Sequence, residues 1–588
     1  MLFSLIACSA KNSDPDVSIN KDGYITVDGE KTNYKAQTKD TISVSDDGYV
    51  VVNGVKTGYL VSNEANVTVD NDGYIVVNGK KTDYLVDKEA VVTVDSDGYI
   101  VVDGKKTNYL VDKEAVVTVD SDGYIVVDGK RTEYKTATKK DETVLVEYDG
   151  SPVTITFYHT MGRALQNVLQ KSIEDFNKLY PNITVEAISL VRYDDLNDQI
   201  SEELSAGMAP NIAYCDPEHV VGYIDAQGVL PLDAFINSTL KITRADGSTE
   251  IMGLTKAQQY DFVQSYWDAG KVFDEAGTMY TLPMAKSTEA LFYNKTFFDS
   301  FEDEQGKLSV PTTWEEMESV CRRIKAKYPN SIPLGYDSES NWFITRLAQA
   351  GAGYTSIDSS NHYLFNNLTS VYILEEANEW YRDGLVKTQK TNDDSYISNL
   401  FTISSNDAKD KCFMVIGSTG GASYQTPPKA DDTALFEVGI AGIPQENASD
   451  PKTISQGPSL CLFKDSNPQE VAASWLLMKF LTTDVKYQSN FSINSGYAPV
   501  INSVKADPIY VSWLEAANGY DNLQALCVKA AISQENAIFT PPAFKGSAKA
   551  YSEAENMMYN IMIYTYSDVR QEAGKELARA LANCKKAG

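Results

Sequence analysis

The stretch Val153-Thr154-Ile155-Thr156-Phe157-Tyr158-His159-Thr160-Met161-Gly162 decides the fold of the larger part of this chain. Thr154 to Tyr158 are β-branched and aromatic and predict a strand, and His159 to Gly162 form the turn that leaves it. Leu165, Leu169, Ile173, Phe176 and Tyr180 then mark one face of a helix that Pro181 stops. Ile183-Thr184-Val185-Glu186-Ala187-Ile188 predicts a second strand. Leu196, Ile200 and Leu204 predict a second helix closed by Gly207, and Ile212-Ala213-Tyr214-Cys215 a third apolar segment. Strands and helices alternating at this spacing imply a parallel sheet with helices on its faces. Such sheets bind ligands beyond the carboxyl ends of their strands, which places Tyr158, His159 and Asp216 where a ligand is expected.

Upstream of Val153 the pattern is different. Gly23, Gly48, Gly73, Gly98 and Gly123 recur at a period of 25, and Tyr34, Tyr59, Tyr84, Tyr109 and Tyr134 keep the same step. A period of this size signals an array of small units. Each unit has a Val-rich run, an Asp-Gly-Tyr turn, a second apolar run and another Asp/Asn-Gly turn, which together predict a β-meander. The paired aspartates suggest a calcium loop, but the first repeat reads Asn20-Lys21-Asp22-Gly23, so the leading Asp is dispensable and the Gly is not. Turn chemistry is therefore the better reading than metal binding. A stalk is the preferred role of the array, with a wall- or glycan-binding module as its rival.

The 588 residues exceed what one hydrophobic core serves, so several domains are expected. A formal charge of −29 argues against nucleic acid, whose phosphates need clustered Lys and Arg. The chain contains only His159, His219 and His362, and its seven cysteines show no C-x-x-C pair, so no metal site and no cofactor is expected. One or two disulfides remain open at this level. No run of apolar residues is long enough to span a membrane. No nucleophile elbow, H-E-x-x-H helix or Cys–His pairing appears, so no catalytic residue is nominated and the chain is not expected to be an enzyme. A carboxylate pair of glycosidase type cannot be read from 81 acidic residues.

Leu5-Ile6-Ala7-Cys8 resembles a bacterial lipobox, although the leader is short and lacks a basic region. The resemblance implies lipidation of Cys8 and anchoring at the extracellular face of the cytoplasmic membrane. The expected organisation is a leader at 1–8, a linker at 9–16, five β-repeats at 17–136, a linker at 137–150 and one large domain at 151–588.

That large domain resembles family 1 extracellular solute-binding proteins, in the branch that takes sugars or glycerol-3-phosphate. The resemblance rests on motifs in order: Phe157 to Gly162, Tyr280-Thr281-Leu282-Pro283, Ala290 to Lys295, Pro311-Thr312-Thr313-Trp314-Glu315-Glu316, Phe413 to Gly420, Gln456-Gly457-Pro458-Ser459, Trp475 to Leu481 and Ser495-Gly496-Tyr497-Ala498-Pro499. It implies a type II periplasmic-binding-protein-like α/β fold with two lobes, about 152–283 with 444–495 and about 286–443 with 500–588. It also implies a monomer that captures a carbohydrate by cleft closure and delivers it to ABC permease subunits. A glycerol-3-phosphate or glycerophosphodiester ligand is the alternative, and a surface glycan-binding adhesin the alternative of another class.

The ligand residues implied by position are Tyr158, His159, Asp216 with Glu218 beside it, Ser287 in the first crossover, Trp342 as a stacking ring, Ser418 and Gly420 in a Gly-rich turn, Gly457, and Tyr497. Lys545 stands where phosphate binders of the family carry an Arg. A lysine does not supply the two-pronged phosphate grip of a guanidinium, which favours a neutral sugar.

Overall fold

The computed structural model describes residues 145–358 and 361–587 and, ahead of them, fifteen short strands between Val17 and Lys135. The chain divides into two compact units, Met1–Glu142 and Thr143–Gly588. Cys8 and the turn glycines of the repeats lie outside the described residues.

In the first unit the same backbone pattern recurs five times. Val17–Ile19, Tyr24–Val27 and Glu30–Lys35 pair antiparallel in chain order, and so do their counterparts in the other four repeats. The register of the second pair slips at one place in every repeat, between Tyr24 and Thr26 in the first and Tyr124 and Val126 in the last. Between the flanking pairings one strand advances two residues and its partner four, and such extra residues twist and bend a strand locally.

The second unit holds two large sheets, beside three two-stranded ribbons. In the first, Ile183–Ser189, Val153–His159 and Ile212–Cys215 lie parallel, followed by Ser459–Leu462, antiparallel to its neighbours, and then Thr281–Pro283. The helix Arg163–Leu179 buries Leu169, Ile173 and Phe176 against this sheet's core, as its spacing predicts. The helix Tyr193–Ser205 does the same with Leu196 and Ile200, both fully buried. The second sheet runs Val386–Thr388, Leu334–Tyr336, Met414–Ser418, Ser287–Asn294, Thr453–Gln456 and Ile538–Phe539, with Val438–Gly442 also paired to Ser287–Asn294. Its helix Trp314–Lys327 starts at a capping box in which Thr313 Oγ1 accepts from the Glu316 amide at 3.2 Å.

Two lobe boundaries differ from the sequence expectation. Thr453–Gln456 pairs with Ser287–Asn294 and Ile538–Phe539, so 444–456 belongs to the second sheet and the chain crosses to the first only after Gln456. Val500, Ile501, Val504 and Tyr510 pack into the core of the first sheet, not the second. Neither segment names its sheet locally, because sheet partners chosen far along the chain leave no local mark.

Cys215, Cys321, Cys412, Cys461, Cys527 and Cys584 are free and buried. No described helix is long and apolar enough to cross a membrane.

Candidate functional site

The chain crosses between the two sheets at Pro283 to Ser287 and again at Gln456 to Ser459, and a third strand of chain, Tyr497-Ala498, lies against the first crossing. Lys286 and Ala498 exchange backbone hydrogen bonds, from the Lys286 amide at 3.2 Å and from the Ala498 amide at 2.7 Å. A cavity of about 320 Å³ opens beside these crossings. That size falls at the small end of ligand clefts, which run from about 300 to 1,000 Å³.

On the wall formed by the first lobe, strand Ile212–Cys215 delivers Asp216, the N-cap of helix Pro217–Asp225, and Glu218 sits in that helix's first turn. A helix N-terminus favours acidic side chains, because its unpaired N–H groups point at them. Burial and the neighbouring Asp216 push the Glu218 carboxyl above the ordinary range. Tyr193 completes this wall.

The floor is the crossings themselves. Lys286 is 2 % exposed, and its Nζ donates to the Gly457 carbonyl and to Ser459 Oγ, both at 2.9 Å. Burial lowers its pKa to about 8, against the pull of Asp216. Ser418 Oγ donates to Ser287 Oγ at 3.2 Å, which ties the end of strand Met414–Ser418 to the first crossing. Gly496 adopts φ +83° and ends helix Val485–Ser495, so the chain turns and sets Tyr497 into the cavity. Burial pushes the Tyr497 phenol up to about 12.

The second lobe supplies Asn341, Tyr354, Thr355, Thr540 and Tyr551, among others. Tyr551 Oη donates to Asn341 Oδ1 at 2.6 Å. Five polar atoms of the lining are buried without a hydrogen-bond partner in the protein: Tyr354 Oη, Thr355 Oγ1, Gln456 Oε1, Thr540 Oγ1 and Ser547 Oγ. Buried polar groups are nearly always paired, because leaving one unpaired costs about 1–3 kcal/mol. At the cavity these groups are placed to pair with a bound molecule.

Of the residues nominated from sequence, Asp216, Glu218, Ser287, Ser418, Gly457 and Tyr497 come together here. Five do not line the cavity. Tyr158 points into the first lobe and donates to Glu203 Oε1 at 3.0 Å. His159 is the buried last residue of strand Val153–His159; its Nδ1 accepts from the Met161 amide at 3.1 Å, and burial lowers its pKa to about 4. Trp342 is fully buried in the second core, its ring stacked on Tyr336 at 5.3 Å and packed against Trp314 and Trp380. Gly420 acts from behind: a Cβ there would meet the Tyr497 ring at 2.8 Å. Lys545 is exposed, and the cavity takes Thr540 to Ala543 and Ser547 from its segment instead.

Sequence reasoning missed Lys286, Tyr193, Asn341, Tyr354, Gln456 and Tyr551. Gln456 stood in a motif already singled out, and Lys286 was a lone charge beside Ser287. The three tyrosines had no local signal. Among the described residues no group of three His, Cys, Asp or Glu side chains is placed to hold a metal ion.

A buried acid lies behind the second wall. Glu289, 1 % exposed on strand Ser287–Asn294, accepts from Tyr336 Oη at 2.7 Å and is hydrogen-bonded to Asn341. Burial pushes its pKa up from 4.5 to about 7. The folded protein therefore holds a proton between those values that the unfolded chain releases, and stability falls as pH rises from about 4.5 to 7. Glu289→Gln is expected to remove roughly 2–3 kcal/mol of that fall. Denaturation midpoints at mildly acidic and mildly alkaline pH check this, and an unchanged difference between them would contradict it.

Comparison with known proteins agrees with this architecture. Residues 171–518 match the family model described as bacterial extracellular solute-binding protein. The chain is 20% identical over 360 residues to a maltotriose-binding protein of Pyrococcus abyssi, covering 60% of this chain and 68% of that protein. Its fold is similar to the cyclic α-maltosyl-1,6-maltose-binding protein of Arthrobacter globiformis, with a TM-score of 0.57 at 18% identity over 74% of this chain and 100% of that one. It is also similar to the UgpB protein of Mycobacterium tuberculosis in complex with glycerophosphocholine, with a TM-score of 0.56 at 17% identity over 74% of this chain and 99% of the other.

Proposed function

The chain belongs to the bacterial extracellular solute-binding protein family, and from that premise we propose that it captures a mono- or oligosaccharide for an ABC importer. The observation that carries this reading is the set of unpartnered hydroxyl and amide groups on the second-lobe side of a cavity that both lobes line. A sugar presents donors and acceptors all round its ring and pairs such groups at once. Tyr497 offers a ring face for the apolar side of the same sugar. Tyr396 and Tyr424, both exposed, lie 6.1 Å apart near Tyr497 and extend that aromatic surface toward solvent, as a longer saccharide requires. Closing the lobes buries the ligand from two sides, and ligand binding shifts the open–closed population toward the form a transporter reads.

Anchoring through Cys8 places the domain at the extracellular face of the membrane, with the β-repeat array as a stalk. A glycerophosphodiester is the second reading, favoured by the fold shared with the glycerophosphocholine-bound relative. No arginine lines the cavity among the described residues, and the Lys286 ammonium already donates to Gly457 and Ser459, which favours the sugar.

A thermal-shift screen of the full chain over mono- and oligosaccharides, glycerol-3-phosphate and glycerophosphodiesters tests this. Ligand stabilisation grows with the ratio of concentration to Kd and reaches about 2.7 kcal/mol at a hundredfold excess, so a true ligand stands out. At least one saccharide is expected to raise the melting temperature. A shift with phosphate esters alone would overturn the carbohydrate assignment.

A further inference from the structure

We propose that Glu289 is a positioning residue for the cleft: through Asn341 it sets whether Tyr551 offers a bound sugar a lone pair or a proton. This goes beyond the carbohydrate reading and rests on it. Three side chains form a relay from the second core to the cavity. Glu289, buried on strand Ser287–Asn294, accepts from Tyr336 Oη at 2.7 Å and is hydrogen-bonded to Asn341. Asn341, on helix Glu339–Gln349, is itself buried, and its Oδ1 accepts from Tyr551 Oη at 2.6 Å. An amide whose oxygen faces the phenol turns its NH₂ to the carboxylate. Tyr551, on helix Ser547–Ile563, lines the cavity beside Asn341.

A phenol has one proton. Spent on Asn341, it leaves Tyr551 only lone pairs for the cavity, one of which faces Ser338 Oγ at 3.5 Å. With Glu289 ionised, the relay therefore asks the sugar for a donor. Protonating Glu289 adds a buried proton that needs an acceptor. Turning the Asn341 amide over keeps every buried proton paired. Tyr336 still donates to Glu289, Glu289 donates to Asn341 Oδ1, and Asn341 Nδ2 donates to Tyr551, whose proton is free for the sugar. If Tyr336 took the carboxyl proton instead, its own proton, fully buried, would lose its acceptor. Both forms are populated near neutrality, because burial and the charge of Asp337, just past strand Leu334–Tyr336, push Glu289 up to about 7. Of the other groups around the relay, Arg346 bears on Tyr336, and Glu218 bears on Tyr551 from the first lobe. From helix Leu523–Gln534, the neutral amide of Gln534 donates to the Glu289 backbone carbonyl at 3.1 Å.

The ionised relay ends on a charge, and hydrogen bonds to charged groups are stronger than neutral ones. A sugar hydroxyl donating to Tyr551 therefore favours ionised Glu289, so affinity rises with pH and binding near neutrality releases protons. The test is calorimetric titration of the full chain from about pH 6 to 8, in buffers of differing ionisation heat. The probes are glucose, maltose, maltotriose, N-acetylglucosamine and every saccharide that shifts the melting temperature. Glu289 is expected to contribute a roughly threefold rise in affinity across that range, the worth of about half a pKa unit. Glu289→Gln cannot ionise, and Tyr551→Phe leaves Glu289 intact but cuts the relay at the cavity. Both are expected to lose that rise and the proton release that accompanies it. Glu218 is present in both variants, so the difference from the unsubstituted chain reads the relay and not the first wall. Should Glu289→Gln fail to fold, Tyr551→Phe carries the same test. An unsubstituted pH profile retained in either folded variant would overturn this inference and leave the carbohydrate reading standing. Binding of no saccharide would overturn both.

Discussion

Trp342→Ala is expected to lower the unfolding free energy of the second unit by about 3–5 kcal/mol while leaving the ligand affinity of the folded protein little changed. The indole is fully buried, lies nearly parallel to the Tyr336 ring at 12° and packs against Trp314 and Trp380. Truncation removes its dispersion contacts and leaves a cavity among aromatic rings too rigid to collapse into it. The cleft wall next to it depends on Asn341 and Tyr551, whose hydrogen bond does not involve the indole. All six tryptophans lie in the second unit, so denaturant unfolding followed by tryptophan fluorescence reports on that unit alone. Unchanged stability together with lost binding would instead place the ring in the cleft.

The second large effect is expected at Gly457, in the crossing that floors the cavity. Its φ is +88°, a region costly for any residue with a side chain. An added Cβ would stand 2.5 Å from the Ala285 carbonyl oxygen, 3.1 Å from Lys286 Cα and 3.1 Å from the Tyr497 ring. Backbone cannot yield as a flexible side chain does. The crossings must part, and Lys286 and Tyr497 move with them. Gly457→Ala should therefore cost about 2 kcal/mol or more in stability and weaken ligand binding as well. Gly247 is the control, since it has φ +82° and nothing within 4 Å of the added carbon. Gly247→Ala should show the backbone strain alone, about 1 kcal/mol, with binding intact. Equal losses at the two positions would mean that the close approach at Gly457 is unimportant.

The contrast between Asp216 and Trp342 shows what the sequence makes legible. Asp216 follows a short apolar strand and precedes Pro217, so both the sheet's topology and the start of a helix were readable locally, and the cavity lies at that strand end. Trp342 is a large ring, and a ring that stacks on a sugar has the same sequence signature as one that stacks on Tyr336. Only burial separates them. The two-sheet architecture was legible because each strand–helix alternation declares itself within about thirty residues. The assignment of Thr453–Gln456 to the second sheet was not, since its partners Ser287–Asn294 and Ile538–Phe539 lie far away in the chain. Tyr354 and Tyr551 were illegible for the same reason: they matter through the cavity they share, and nothing in either segment points to the other. Lys286 illustrates a different limit. A lysine in a polar setting is ordinary surface chemistry, and its importance arises only from burial at the crossings.

The central claim is that the cleft at the crossings binds a carbohydrate, and calorimetric titration of the full chain with the best saccharide of the thermal-shift screen tests it most directly. The account predicts one site per chain with micromolar or tighter affinity, near −8 kcal/mol or below. It also predicts that Asp216→Ala weakens binding by roughly tenfold or more without unfolding the protein. Saccharide binding that is undiminished in Asp216→Ala, or no saccharide binding at all, would contradict it.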